Sequence, residues 1–353
     1  MSPDHNNAQN QRPKTVLVTG ANGYIGSAIC RAFARGGWET FGLIRNPAAA
    51  AELEISEIIP VIGTFTDLNF LDDLYKRRKT FDAIVSCTEQ FPGYAAHFDQ
   101  VMGLVCALAE KSNENGVRPF VLWTSGCKDY GTTGPHGAPG LSPHIESSPL
   151  NTIDALRERM ESCVRIFDHS ELFDAVLLRP TCVFGYSSSY YGAMFDYARQ
   201  ELEKGARVLT IPANPDNIMH ALHVDDCAEA YVTLATHTNR REVESRAFNL
   251  SGYRYETTGE VTKALAAAYG FPDGIRFLPQ EDADESFPTG LHFVFSFSQW
   301  VGSDEIRRVT GWKDKRLLFS ENVEVHRRSY ERLRLGGHEN IAAIQRRIEG
   351  GFK

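Results

Sequence analysis

The chain reads as an α/β protein: a doubly wound parallel sheet followed by a smaller, mixed C-terminal lobe. Three observations predict this. Short β-branched or apolar runs alternate with helical patterns from residue 14 to residue 180. The first run leads through a glycine-rich turn straight into a helix. Beyond residue 185 the rhythm gives way to irregular loops and short helices.

Taken in order, KTVLVTG (14–20) is a short run fit for a buried parallel strand. In the helix after it Ile25, Ile29 and Phe33 keep helical spacing, and Gly36-Gly37 supplies the stop. ETFGLIR (39–45) and IIPVIGTF (58–65) are the second and third strands, with FLDDLYKRR a short helix behind the third. FDAIVSC (81–87) is the fourth strand. HFDQVMGLVCALAEKS is a helix apolar on most sides, so it is buried or sits at a subunit contact. PFVLWTSG (119–126) and DAVLLRP (174–180) are the fifth and sixth strands. The Gly- and Pro-rich loop between them, GTTGPHGAPGLSPHIESSPLN, is long enough to be read as functional. NTIDALRERMESCV (151–164) is an amphipathic helix, and Leu156, Met160, Val164 and Phe167 form its inward stripe. YSSSYYGAMFDYARQELEKG starts as a flexible loop and ends as a helix. HALHVDDCAEAYVTLATH is a strand running into a helix capped by Asp225 or Asp226. TGEVTKALAAAYG, SDEIRRVTG and SENVEVHRRSYERLRL are short helices of the second lobe. The expected division is a disordered tail at 1–12, a dinucleotide-binding domain of 13–184 plus 219–252, and a substrate lobe of 185–218 plus 253–353.

With 353 residues, 42% hydrophobic and 23% charged, the composition is that of an ordinary globular protein. A net charge of −8 gives no electrostatic reason for nucleic acid or an anionic membrane as partner; the expected partner is a small-molecule substrate. No apolar run reaches the roughly 18 residues of a membrane span. MSPDHNNAQNQR at the start lacks the apolar core of a signal peptide. The seven cysteines are scattered and free of CxxC spacing, which argues against a disulfide framework or a metal site and for a reducing, cytoplasmic compartment.

Gly20-Ala21-Asn22-Gly23-Tyr24-Ile25-Gly26 leaves a strand and opens a helix. Gly20 allows the tight turn, Gly23 lets the backbone approach a diphosphate, and Gly26 lets the helix pack close to the sheet, as in Rossmann dinucleotide sites. The helix N-terminus then offers unpaired N–H groups and a positive dipole end. Where NAD sites carry an acid for the ribose 2′-hydroxyl, this chain reads Gly42-Leu43-Ile44-Arg45. An Arg suits a 2′-phosphate, so NADP(H) is favoured over NAD(H). Asp67, with Leu68 beside it, falls where an adenine is met; its alternative reading is a turn or cap residue. Cys87, Thr88 and Thr124 close the fourth and fifth strands on the same side as the glycine turn.

TGxxGxxG at Thr19–Gly26 resembles the short-chain dehydrogenase/reductase superfamily. Thr124-Ser125-Gly126-Cys127-Lys128-Asp129-Tyr130-Gly131, Glu146–Asn151, Leu178-Arg179-Pro180-Thr181-Cys182-Val183-Phe184-Gly185, His223–Asp226 and Asn249–Gly252 are similar to stretches of its extended, epimerase/dehydratase-like branch and run in the same order. The resemblance implies that Pro180 and Val183 border the nicotinamide, and that the helices at 97–112 and 151–169 build a homodimer. It also implies a Tyr and, four residues on, a Lys that lowers the Tyr pKa, with a Ser or Thr from the fifth strand. Ser125 fits the last role. Alignment from Glu146 puts Leu156 and Met160 where Tyr and Lys belong, and no register slip restores them: no Tyr lies between Tyr130 and Tyr186, and no Lys between Lys128 and Lys204.

The candidates for chemistry are therefore Ser125, Lys128, Tyr130 and Arg157, with Arg159 also flanking the vacated positions. Arg157 is suited to an oxyanion or carboxylate, though not to act as a base. Glu89, Gln90 and Tyr94 after the fourth strand, and Tyr186, Tyr190 and Tyr191 on the later loop, are the candidate pocket walls. His220 and His223 read as structural. Three functions stay open: an NADP-dependent oxidoreductase for a small carbonyl or alcohol with a non-standard proton donor; a non-redox isomerase, lyase or cyclase; and a nucleotide-sensing regulator.

Overall fold

The computed structural model describes residues 12–284 and 287–350, so the expected N-terminal tail lies outside the described residues except for Arg12. The first strands are β1 (Thr15–Thr19), β2 (Glu39–Ile44), β3 (Ile59–Ile62), β4 (Ala83–Ser86), β5 (Phe120–Thr124) and β6 (Asp174–Pro180). The helices between them are α1 (Tyr24–Arg35), α2 (Ala50–Ile55), α3 (Phe70–Arg77), α4 (Tyr94–Glu114) and α5 (Asp154–Cys163). Next come β7 (Cys182–Phe184), α6 (Tyr190–Glu203), β8 (Leu209–Pro212), β9 (Ile218–Met219), β10 (Ala221–His223), α7 (Val224–Ala235) and β11 (Arg246–Leu250). The chain continues through β12 (Glu256–Thr257), α8 (Thr258–Tyr269), β13 (Ile275–Leu278), α9 (Thr289–Ser296), α10 (Asp304–Thr310), α11 (Val323–Leu335) and α12 (Glu339–Gly350).

Seven strands form one parallel sheet in the order β11-β6-β5-β4-β1-β2-β3. Neighbouring residues of each strand face opposite sides. Val16 and Val18 enter the core shared with α1 and α7, while Leu17 enters the core under α3 and α4. Helices cover both faces, so the strands read as near-continuous apolar runs. Strand order reverses between β1 and β4, and that switch point opens a crevice at their carboxyl ends.

A separate apolar core, rich in Phe and Tyr, holds α6, α8, α9, α11 and α12 together. β8 pairs with β13, and β9 with β12. The long loop after β5 is stitched to the segment that follows α9: Thr133 N donates to Ser298 O at 2.8 Å, His144 N to Trp300 O at 2.9 Å and Gly302 N to His144 O at 2.8 Å. Gln299 donates its side-chain amide to Cys127 O at 2.8 Å and to Gly131 O at 2.6 Å.

Two local expectations need correction. The N-cap of α7 is His223, whose Nδ1 accepts from Asp225 N at 3.1 Å, and not Asp225 or Asp226. The inward stripe of α5 also breaks. The helix tightens to a 3₁₀ turn at Val164–His169, which rotates Val164 out to 38% exposure, and the buried face is Leu156, Arg159, Ser162, Cys163 and Ile166. Among the described residues no helix is long and apolar enough to cross a membrane.

Candidate active site

The glycine turn is built for close approach. Gly20 has φ +64°, and a Cβ there would stand 2.9 Å from the Thr88 methyl and 3.3 Å from Cys87 O. A Cβ on Gly26 would stand 2.2 Å from Gly20 O, so only glycine lets α1 start this close to the turn. Gly23 is the N-cap of α1 and supplies no side-chain cap, which leaves the first-turn N–H groups for an anion. Asn22, Tyr24 and Ile25 complete the turn, and Tyr24 donates its hydroxyl across the crevice to Gly185 O at 2.8 Å. These features fit a dinucleotide diphosphate.

The rest of the crevice follows from the strand ends. Arg45 is exposed at the end of β2. Asp67 is exposed and forms a turn, its carboxylate accepting from Asn69 N at 3.0 Å, while Leu68 beside it is half-buried. Cys87 N donates to Thr19 Oγ1 at 3.2 Å, and burial pushes the Cys87 thiol up to about 12. Thr88 Oγ1 shares a 3.0 Å bond with His97 Nε2, and Thr124 Oγ1 one of 2.7 Å with Tyr231. Pro180 ends β6 and Val183 lies buried in β7. All of these sit at the carboxyl edge of the sheet, where the fold opens.

At the end of β5 the side chains form a charged lattice. Ser125 Oγ donates to Asp129 Oδ2 at 2.5 Å. Asp129, 1% exposed, also accepts from Arg159 Nη2 at 2.7 Å, and Arg179 Nε lies 3.5 Å away. Arg159 reaches in the other direction to Glu89 Oε1 at 2.8 Å, and Arg347 of α12 stands 3.8 Å from the same carboxylate. Burial penalises the Arg159 charge, but Asp129 and Glu89 outweigh it, so the guanidinium is held firmly protonated.

The remaining candidates fall in different places. Arg157 is exposed and bound to Asp154 on its own helix; the buried arginine is Arg159, whose i+3 offset from Leu156 puts it on the inner face. Tyr130 is buried, donates to Asn249 Oδ1 at 2.9 Å, accepts from Arg179 and stacks on His144; burial raises its pKa to about 12. That ties it into the wall. Tyr94 is in the core under α4, bonded to Cys163, because it starts the helix instead of ending the loop. Gln90 is exposed beside Glu89. Tyr186 donates to Asp225 at 2.6 Å, Tyr190 is half-buried near Glu89 and Arg347, and Tyr191 is buried against Phe184 and Phe319. Lys128 carries its amine over the rings of Phe293 and Phe297, 4.8 and 3.5 Å from their centroids. His220 is neutral and structural: its ring nitrogens serve Gly252 O and Val301 N, and burial pushes it down to about 4.

Sequence reasoning did not assemble the Ser125–Asp129–Arg159–Arg179 lattice, although a cation at an inward helical position was a visible signal. Comparison with known proteins agrees with the fold. The profile of the NAD-dependent epimerase/dehydratase family matches residues 16–267. The chloroplast stem-loop binding protein of 41 kDa b from Arabidopsis thaliana is 23% identical over 311 residues, 85% of this chain and 75% of that protein. Among solved structures, dTDP-glucose 4,6-dehydratase from Bacillus anthracis in complex with NAD superposes with a TM-score of 0.67 at 15% identity, covering 90% of this chain and 97% of that one. UDP-glucose 4-epimerase from Bifidobacterium longum in complex with NAD+ and UDP gives 0.63 at 17% identity, covering 93% and 100%.

Proposed function

The chain belongs to the NAD-dependent epimerase/dehydratase family, and from that premise we propose that it is an NADP(H)-preferring oxidoreductase interconverting a small carbonyl compound and its alcohol. One observation carries the reading: the glycine cradle after β1 and Ser125 after β5 open on the same carboxyl edge of one parallel sheet. A nicotinamide dinucleotide bound there supplies or accepts hydride. Gly20, Gly23 and Gly26 hold its diphosphate and Arg45 meets a 2′-phosphate.

The proton side of the reaction falls to an altered set of groups. Ser125 spends its hydrogen on Asp129, so its oxygen offers lone pairs to a substrate hydroxyl. Asp129 is fixed in turn by Arg159, and this lattice orients the reacting oxygen. General acid–base assistance is worth ~10²–10⁴-fold, so turnover should be slow beside an enzyme with Tyr and Lys. The stem-loop-binding name of the plant protein is not extended to this chain, whose net charge of −8 gives no electrostatic reason for nucleic acid as partner.

Titration of tryptophan fluorescence with NADPH and NADH tests the cradle. Arg45→Glu should weaken NADPH roughly tenfold more than NADH, as loss of a charge-assisted hydrogen bond implies; an equal effect on both removes the NADP assignment. Substrate-dependent loss of NADPH absorbance completes the test. A second reading, a non-redox isomerase or lyase, draws on the guanidinium of Arg159, which binds an oxyanion but does not exchange protons. Turnover with flat cofactor absorbance would select it.

A further inference from the structure

The glycine turn lies at the carboxyl end of β1, and β1 stands between β4 and β2 in the sheet. The segment that ends in α12 touches both flanks of that position. Just before the helix, His338 Nε2 is 3.8 Å from Oε1 of Glu52, in the first turn of α2, which follows β2. Near the other end, Arg347 Nη1 is 3.8 Å from Oε2 of Glu89, in the loop after β4. Arg159 holds Glu89 from behind at 2.8 Å. The run from His338 to Arg347 covers about 13 Å at 1.5 Å per helical residue. β4 and β2 are two strand spacings apart, about 10 Å. The helix is therefore long enough to bridge the strands on either side of β1, and it crosses above the glycine turn.

The seat of α12 is on the second lobe. Ile341 and Ile348 are buried in its core, Gln345 donates to Asp196 of α6 at 2.9 Å, and a Cβ on Gly290 of α9 would stand 2.8 Å from Ile348 Cα. That lobe is fixed on the β5 side of the crevice by the bonds between the loop after β5 and residues 298–302. On the side of β4 and β2, among the described residues, the ion pairs from this end of the chain to the sheet domain are those of His338 and Arg347. Glu52 is 64% exposed and Arg347 51%, so solvent and salt weaken both pairs. This is the side that can yield while the other holds.

We propose that α12 is a strap over the dinucleotide crevice, latched at its two ends by His338–Glu52 and Arg347–Glu89, and that a dinucleotide enters and leaves when the latches open. The proposal rests on the reading of the glycine turn as a dinucleotide cradle. The latches join protein to protein in the empty and the loaded chain alike, so they set how fast the dinucleotide exchanges and hardly how tightly it binds.

The test is stopped-flow mixing of NADPH with the full chain and with its Glu52→Gln/Arg347→Gln variant at pH 6, where a free imidazole is mostly charged, read by tryptophan fluorescence. Alkylation of Cys87 by N-ethylmaleimide without NADPH is followed alongside. Cys87 borders the glycine turn, since a Cβ on Gly20 would stand 3.3 Å from its carbonyl oxygen, and Cys106 of α4 is the control. In the variant NADPH should associate and dissociate about fivefold faster, as loss of two exposed ion pairs implies, with affinity held within about twofold. Cys87 should also react about fivefold faster and Cys106 at the same rate. If NADPH binds and its rates are unchanged, the strap is overturned. Equal acceleration of Cys87 and Cys106 overturns it too, since the pairs would then hold the fold and not the crevice. If NADPH binds neither chain, Cys87 decides: faster alkylation upholds the strap and removes the cofactor reading alone, whereas unchanged alkylation removes both.

Discussion

The two ends of the crevice are made of different material. At the glycine turn the working parts are backbone groups, and their positions are enforced by missing side chains: a Cβ at Gly26 would collide with Gly20 O at 2.2 Å. At the end of β5 the working parts are side chains, and Ser125, Asp129, Arg159 and Arg179 hold one another through a hydrogen bond and ion pairs. A binding site written in backbone tolerates little change, whereas a chemical site written in side chains can be rebuilt on the same scaffold.

The sharpest way to probe that contrast is Arg159→Met. Removing one partner of a buried ion pair leaves Asp129 with the Ser125 hydroxyl and the more distant charge of Arg179, which should cost about 3–5 kcal/mol. Urea unfolding should show this, and Asp129→Asn in the same chain should recover much of it; additive losses would mean that the lattice is not a unit.

Acid probes the same side of the crevice. His220 stays neutral in the folded chain, with its pKa near 4, while the unfolded imidazole titrates near ~6.5. The unfolded state therefore binds more protons in between. The contribution of His220 is complete above about pH 6.5 and is lost as pH falls towards 4, on the order of 3 kcal/mol. Unfolding midpoints across that range should fall, and less steeply in His220→Gln; identical slopes would contradict the buried neutral ring.

Gly26→Ala attacks the backbone end. The new methyl must push α1 away from the turn, at about 1–3 kcal/mol, and NADPH affinity should fall roughly tenfold to a hundredfold. Unchanged affinity would show that the turn is not the cradle. The smallest effect is expected at Arg157→Ala: an exposed side chain tied only to Asp154 should leave activity and the melting temperature where they were.

The same contrast explains what could be read from the sequence. The first six strands and the longer helices between them were legible because period and turn residues agree with burial on both faces of the sheet. The diphosphate turn was legible because each glycine has a steric reason. α2, β13 and α9 were not: six, four and eight residues are too short for periodicity to choose between strand and helix. Arg159 was visible as a charge, but it pairs with Asp129, 30 positions away, and no local pattern encodes that contact. Tyr94 was assigned to the pocket wall by its distance from β4, whereas the helix begins at that residue and turns the ring into the core.

The seam between the long loop after β5 and residues 298–302 has a mechanical consequence. Main-chain bonds from Thr133, His144 and Gly302, together with the forked amide of Gln299, rivet one wall of the crevice to the other. Wide hinge opening would tear all of them at once. The two cores should therefore melt as a single cooperative block, with the amide of Thr133 exchanging hydrogen no faster than those of β5.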